Sequence, residues 1–568
     1  MRILRPPASW NAASGPFVGV CALLAGVIAL TFHGWVFRVP AIELGWRGED
    51  DACYYYVIAK NIVAGQGATF DGVSRTNGFH PLWLGVCTAV FAAAGGNDAI
   101  ALRTIYGIQW SLYVASAVGV GILARRSIGP MSALISALVF LQLPTISGSL
   151  LSGMETTLAV ALVVAAFCLF DLIVNKNHSP EARTTAGRHR ILLAIATAAA
   201  SLARLECALL IPVLMYGLGW DRRCNSGPKF SMKAILIFGA ASVVPLVTYL
   251  LFSSVYFGSS SPVSGLIKRA GALATANALV QSGDYLGLLD RVFQLRTPSD
   301  GLTAILASQL GFTLPAIVIR ALGYLLLLGP LVVLHFQRSS QAGSLYLLFL
   351  FSALLVLAGK LLFYGRPLPA YYLVPLFASY PIAICVMAKA LTSSVSFPAW
   401  PTMCRFSAAI AVLLLLVSAA RLQWHRQHQI LTHRDGYHDS VYAAAKWLEK
   451  NTHPRETAAA WNAGIIGFYS GRRVVNLDGY VNSVSFAKSI TSNPSSLPAL
   501  IDKQHINVLI DRISEGAAPL HRAPGLQPAW ELAARVEATR PQGLNGGFCA
   551  YRRVKPQHQL TASPAYDE

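Results

Sequence analysis

Charge is what this 568-residue chain has least of: Asp, Glu, Lys and Arg make up 12% of it, against about 25% in a soluble domain. Half the usual supply cannot coat a water-facing surface of this size, so a fully soluble fold is excluded. Acidic residues are the scarcer sign, 26 against 45 Lys and Arg, which leaves a net charge of +19. The nine cysteines contain no CxxC pair and no metal-like spacing, so neither a zinc ribbon nor a disulfide framework is expected. Cys21, Cys87, Cys168, Cys207 and Cys385 lie in apolar blocks, where the thiol behaves as a small hydrophobe. Cys53 and Cys549 fall in segments placed outside, with nothing to pair them. No repeat of solenoid or propeller length is present.

What is abundant is apolar sequence: 54% of residues are hydrophobic and mean hydropathy is +0.50. It comes in blocks at about 17–37, 81–95, 104–124, 130–148, 156–174, 191–220, 234–252, 321–336, 344–362, 371–391 and 406–420. Most are long enough, as helix, to cross a hydrocarbon layer about 30 Å thick. The positive residues gather between these blocks, most densely from Lys176 to Arg190, which marks that loop as cytoplasmic. Topology thus accounts for the charge, and a nucleic-acid partner is not expected. The first block follows Arg2 and Arg5 and reads as a signal anchor that places 38–80 outside. Arg125 and Arg126 look cytoplasmic, which two full crossings after Phe79 would forbid; one of the blocks at 81–95 and 104–124 then reads as re-entrant. The expected architecture is a polytopic α-helical membrane domain over residues 1–420, with 11 to 13 membrane segments, in a bacterial inner membrane. Residues 421–568 read as a small extracytoplasmic α/β domain: a helix at Ser440–Lys450, then strand-like runs at Thr457–Trp461, Val474–Leu477 and Asn507–Ile510.

The first outer loop carries the most chemistry. Glu49, Asp50 and Asp51 stand beside Tyr54, Tyr55 and Tyr56, and Thr76-Asn77-Gly78-Phe79-His80-Pro81-Leu82-Trp83 leads into the next apolar block. Adjacent carboxylates at a membrane surface suit a general base or a cation ligand. They equally suit the start of a helix, and the residues alone do not decide between the two. Arg204 and Glu206 interrupt an apolar block with basic residues on both sides, which suggests a short hairpin with this pair at its tip, or one long helix with an internal ion pair. Lys268 and Arg269 lie outside, where positive charge is normally depleted. Arg366, Tyr371 and Tyr372 occupy a later outer turn, the tyrosines fitting an interfacial aromatic belt or a sugar-stacking surface. His80, ahead of Pro81, reads first as a structural hydrogen-bonding group.

The run from Asp50 to Trp83 resembles the first outer loop of GT-C glycosyltransferases, near the protein mannosyltransferase, aminoarabinose transferase and terminal arabinofuranosyltransferase groups. Ser152-Gly153-Met154-Glu155-Thr156, Arg204-Leu205-Glu206, Trp461-Asn462-Ala463-Gly464 and Asn476-Leu477-Asp478-Gly479 are similar to further segments of those proteins. The resemblance implies transfer of a sugar from a polyprenyl-phosphate donor to an extracytoplasmic glycan, lipid or protein acceptor. It implies Asp50 or Asp51 as the base, with Glu155 assisting. His80, Arg204, Glu206, Lys268, Arg269, Arg366, Tyr371 and Tyr372 become the candidate substrate contacts. The resemblance fixes no cofactor, and the chemistry admits a divalent cation, magnesium or manganese. The competing reading is a transporter or flippase of lipid-linked saccharides, which would call for broken helices in symmetric halves; no such internal symmetry is present.

Overall fold

The structure is a computed structural model, and it describes residues 14–142, 144–175, 180–224, 231–288, 316–337, 343–362, 374–393, 436–513, 529–538 and 546–554, with isolated residues between 417 and 431. In chain order the main helices begin with α1 Ser14–His33, α2 Asp50–Val63, α3 Pro81–Ala93, α4 Asp98–Ser127, α5 Pro130–Gln142, α6 Thr156–Asn175, α7 Pro180–Ala203 and α8 Leu210–Cys224. They continue with α9 Met232–Phe257, α10 Val263–Gln281, α11 Ala316–Gln337, α12 Gly343–Leu362, α13 Val374–Ser393, α14 Gly436–Asn451, α15 Gly464–Tyr469 and α16 Val484–Ser492. Two compact units divide the chain. The first comprises residues 1–44, 80–256 and 268–431, the second 45–79, 257–267 and 432–568.

The first unit is helical. Among the described residues α4, α6 and α9 are long and apolar enough to cross a membrane. Helix α4 shows why its ends fall where they do. Asn97 accepts from the Ile100 amide at 3.1 Å, Asp98 opens the first turn, and Arg125 and Arg126 close the last, each charge matched to the helix dipole. Near its start, the Arg103 guanidinium donates to the Val36 and Val39 carbonyls, so α4 begins beside the end of the first apolar segment. Helix α3 has 13 residues, roughly 20 Å, too short for the hydrocarbon layer. Its length is compatible with the re-entrant reading of the block at 81–95.

Several polar groups inside this unit are matched across helices. Where α5 stops short of Pro144, the Leu141 carbonyl accepts from Tyr113 Oη at 2.7 Å and pairs with His33 Nε2 at 2.8 Å. Freed backbone groups in a bilayer need such partners. Asp171 is buried against Arg126 and accepts from Ser344 Oγ at 2.8 Å. Helix α9 is the least enclosed span, with Leu236, Val244, Val247, Leu251 and Val255 exposed as a lipid-facing stripe and Ser242 and Ser253 turned inward.

The second unit is built on a five-stranded sheet of order β2-β1-β3-β5-β4, with β1 Thr457–Ala460, β2 Arg473–Asn476, β3 Ile506–Ile513, β4 Trp530–Ala538 and β5 Gly546–Arg553. Strand β1 is parallel to both neighbours, Ala459 lying opposite Val475 and Leu509, and it is buried along its whole length, as a central parallel strand should be. Strand β5 is antiparallel to β3 and β4. Ala459, Trp461, Val475, Leu477, Phe486, Ile501, Leu509, Trp530 and Tyr551 share one core. Helix α14 buries Val441, Ala444, Ala445 and Leu448, the apolar set its periodicity predicts, while Trp447 is only half-buried. The edge pair β4–β5 is not evident from sequence. Glu531, Ala533, Ala534 and Arg535 are helix formers, and the alternation of Trp530, Leu532 and Val536 is thin.

Candidate functional site

In the first unit the chemistry centres on Arg204. Helix α7 ends at Ala203, Arg204 is extended (φ −151°, ψ 123°), and a short 3-10 turn over Leu205–Leu209 precedes α8. The apolar block is thus broken at Arg204 and is not one continuous helix. The guanidinium is 1% exposed. It donates to Glu206 Oε1 from Nε at 2.6 Å and to Glu155 Oε1 from Nη1 at 2.7 Å. One buried cation thereby serves two carboxylates, which leaves the trio one negative charge in excess. Glu155 Oε2 finds no hydrogen-bond partner among the described residues. His80 Nε2 lies 3.7 Å from Glu155 Oε1.

The loop that presents Glu155 is clamped. Gly153 takes a left-handed conformation (φ 88°) open to glycine at little cost. Gln109 reads that turn from α4, donating to the Met154 carbonyl at 2.6 Å and accepting from the Gly153 amide at 3.0 Å. Trp83 Nε1 donates to the Gly153 carbonyl at 3.1 Å. Lys268, half-buried on α10, is near enough for its charge to act on His80, whose imidazole is held below the ordinary histidine range chiefly by burial. The structure therefore gathers His80, Glu155, Arg204, Glu206 and Lys268, while Arg269 is exposed. Arg366, Tyr371 and Tyr372 lie outside the described residues.

In the second unit Asp50 and Asp51 open α2, with Glu49 at the N-cap. Asp50 is buried, and its two carboxyl oxygens accept from backbone amides across the sequence, Ile465 N at 2.7 Å and Gly464 N at 3.2 Å. Burial is the main cause that pushes its carboxyl up to about 7; the two amides oppose the rise and Asp51 adds to it. Asp51 is half-exposed. Tyr54 Oη accepts from the Ala463 amide at 3.2 Å and from Asn476 Nδ2 at 3.1 Å. Asn77 stitches a third segment to the loop. It donates to the Ser259 and Ser261 carbonyls at 2.9 and 3.1 Å and accepts from Val263 N, the first residue of α10, at 3.0 Å.

A divalent cation does not fit these donors as they stand. Arg204 already takes the nearer Glu155 oxygen, amides take both Asp50 oxygens, and no group of three or more metal-ligating side chains occurs among the described residues. The functional residues least evident from sequence are Gln109, Tyr54 and Asn476. Each left some trace: Gln109 as a lone amide within the apolar block at 104–124, Tyr54 in the tyrosine run and Asn476 in the Asn476-Leu477-Asp478-Gly479 segment, but none was assigned a role.

A family described as a domain of unknown function, DUF8728, matches residues 424–555. No curated protein matches the chain. Solved structures do. The archaeal oligosaccharyltransferase AglB from Archaeoglobus fulgidus, in complex with an inhibitory peptide and a dolichol-phosphate, is similar over 96% of this chain and 74% of its own, with a TM-score of 0.53 at 14% identity. An Archaeoglobus fulgidus oligosaccharyltransferase tethered by a disulfide bond to an acceptor peptide containing the NVT sequon gives 0.51, at 14% identity, over 95% and 74%. ArnT from Cupriavidus metallidurans bound to undecaprenyl phosphate gives 0.52 at 13% identity, over 96% of this chain and all of that one. At such identities the likeness speaks for architecture: the chain has the GT-C fold, a polytopic helical membrane domain with a small C-terminal sheet domain.

Proposed function

We propose that this protein is a membrane glycosyltransferase that moves a sugar from a polyprenyl-phosphate donor to an acceptor hydroxyl or amide outside the cytoplasm. One observation supports it above the others. Nearly the whole chain, tail included, follows the fold of proteins whose structures hold dolichol-phosphate or undecaprenyl phosphate.

The acceptor's oxygen or nitrogen bonds to the anomeric carbon as the bond from that carbon to the phosphate oxygen breaks. The electron pair of the broken bond leaves with the polyprenyl phosphate, and the acceptor's proton passes to a base. Asp51 is that base: it is the half-exposed member of the acid pair, whereas Asp50 spends both oxygens on backbone amides. Lys268 meets the donor phosphate, where a fixed cation also stabilises the charge building on the leaving oxygen. Arg204 holds Glu155 and Glu206 in place, the second Glu155 oxygen faces substrate, and His80 stands beside Glu155. The tail lies outside the cytoplasm of a bacterial inner membrane.

Lipid and envelope-glycan profiling of a deletion strain tests the reading. Accumulated polyprenyl-phosphate sugar, or a surface glycan missing one residue, is the expected result and would name the substrate. An unchanged lipid pool and glycan would overturn it. A phosphatase fusion after Arg434 should be active, and a green fluorescent fusion at the same point dark.

A further inference from the structure

We infer that the tail sheet is a clamp for the first outer loop, with Tyr54 and Asn476 as positioning residues that set where Asp51 stands. The role given to Asp51 rests on the function proposed above; the clamp itself does not.

In open sheets the loops at the C-terminal ends of parallel strands form the customary ligand crevice. Strands β1 and β2 are such a pair, ending at Ala460 and Asn476. That edge is occupied here by the chain's own helix α2. The turn after β1 supplies the amides of Ala463, Gly464 and Ile465 to Tyr54 and Asp50, and the last residue of β2 supplies the Asn476 amide to the same Tyr54 oxygen. The strand-end loops are braced for this. Asn462, in a left-handed conformation (φ 51°), donates its amide to Asp478 Oδ2 at 2.6 Å, and Asn476 Oδ1 accepts from Tyr480 N at 3.0 Å.

The fit is close enough to exclude a methyl group. A Cβ at Gly464 would run into the Asp50 carbonyl, one at Gly78 into the Tyr480 carbonyl, and one at Gly467 into the Phe70 ring. Lys60 Nζ sits over the Phe468 ring at 5.0 Å, and Asp71 receives Arg473 Nη2 at 3.4 Å. Together these contacts hold α2 by its N-terminal turn and at Lys60, and hold the segment that follows it at Phe70, Asp71 and Gly78. Asp51 shares that turn with Asp50 and is the less buried of the two, so what fixes Asp50 also fixes where Asp51 stands.

The test uses full-length protein in nanodiscs, with Tyr54→Phe, Asn476→Ala and the double variant. Losing one partner of a buried hydrogen bond should raise hydrogen exchange of the amides at 51–58 roughly tenfold, while β3 keeps its protection. Because both residues act on one oxygen, the double variant should loosen α2 less than the two single effects combined. Each single variant, at matched expression, should restore the envelope glycan of a deletion strain several-fold less well than the parent. Unchanged exchange in α2 for both variants would overturn the clamp. Faster exchange with full restoration of the glycan would overturn the positioning role. Asp51→Asn in the same strain tests a different claim: full activity there removes Asp51 as base, and the exchange data still decide the clamp.

Discussion

Each unit pins a buried carboxylate, and the two do it by opposite means. In the membrane unit Glu155 is held by a guanidinium, so the charge that costs most in a low dielectric is matched by an opposite one. In the tail unit Asp50 is held by neutral amides, which satisfy its oxygens without cancelling its charge. The consequence is visible in Asp50, whose carboxyl is pushed up to about 7 by burial. A helical core has few backbone amides to spare, which leaves ion pairing as the workable route, whereas a sheet edge offers free amides. Neither arrangement leaves its carboxylate as exposed as Asp51.

That contrast can be broken at several points. Replacing Asp51 by Asn keeps size and removes basicity, and transfer should fall about 10²–10⁴-fold with normal expression; transfer at the parental rate would end its assignment as base. Arg204→Met leaves the buried Glu155 and the part-buried Glu206 without their cation. Uncompensated buried charge of this kind costs about 3–5 kcal/mol, read as a lower melting midpoint in detergent and poorer yield. Adding Glu155→Gln and Glu206→Gln to Arg204→Met should recover most of that midpoint, and no recovery would mean that the guanidinium does more than neutralise. Lys268→Met should raise the donor concentration needed for half-maximal rate and lower the maximum, by about tenfold together, as for one charge-assisted contact. A variant with the parental donor dependence would return Lys268 to the loop.

The smallest effect concerns pH. Asp50 binds its proton more tightly in the folded protein than at its unfolded value of 3.8, so the stability it contributes is greatest at low pH and declines as pH rises toward about 7. The parent should therefore lose more thermal stability between pH 5 and 8 than Asp50→Asn does, whatever their absolute midpoints. Parallel slopes would show that the amides hold Asp50 ionised throughout.

Legibility from sequence followed the range of the contacts. The apolar helices and the Arg204–Glu206 pair are local features, readable from hydropathy and from charges two residues apart, whereas the basic stretch expected as a loop at 176–190 is helix from Pro180 onward. The acidic first loop was readable as a place of interest. Its two readings, helix start and reactive acid, are now divided between Asp50 and Asp51, the first by geometry and the second by proposal. What stayed hidden was whatever joins distant segments: Glu155 to Arg204 across 49 positions, and Tyr54 to Asn476 across 422. Hydrophobic periodicity says which face is buried and nothing about its partner. The assignment of residues 45–79 and 257–267 to the same compact unit as the tail is of that kind.

The distance in sequence between Asp50 and the amides that receive it has a bearing on how the protein is made. Residues 45–79 leave the ribosome early, and Gly464 follows 414 positions after Asp50. At about 5–20 residues per second, some 20–80 seconds pass between their syntheses. Throughout that interval the first loop exists without the sheet that receives it. A chain that stalls before β1 thus carries Asp50 and Tyr54 without the amides of Ala463, Gly464 and Ile465, and the acidic loop takes its shape only once the tail has been made.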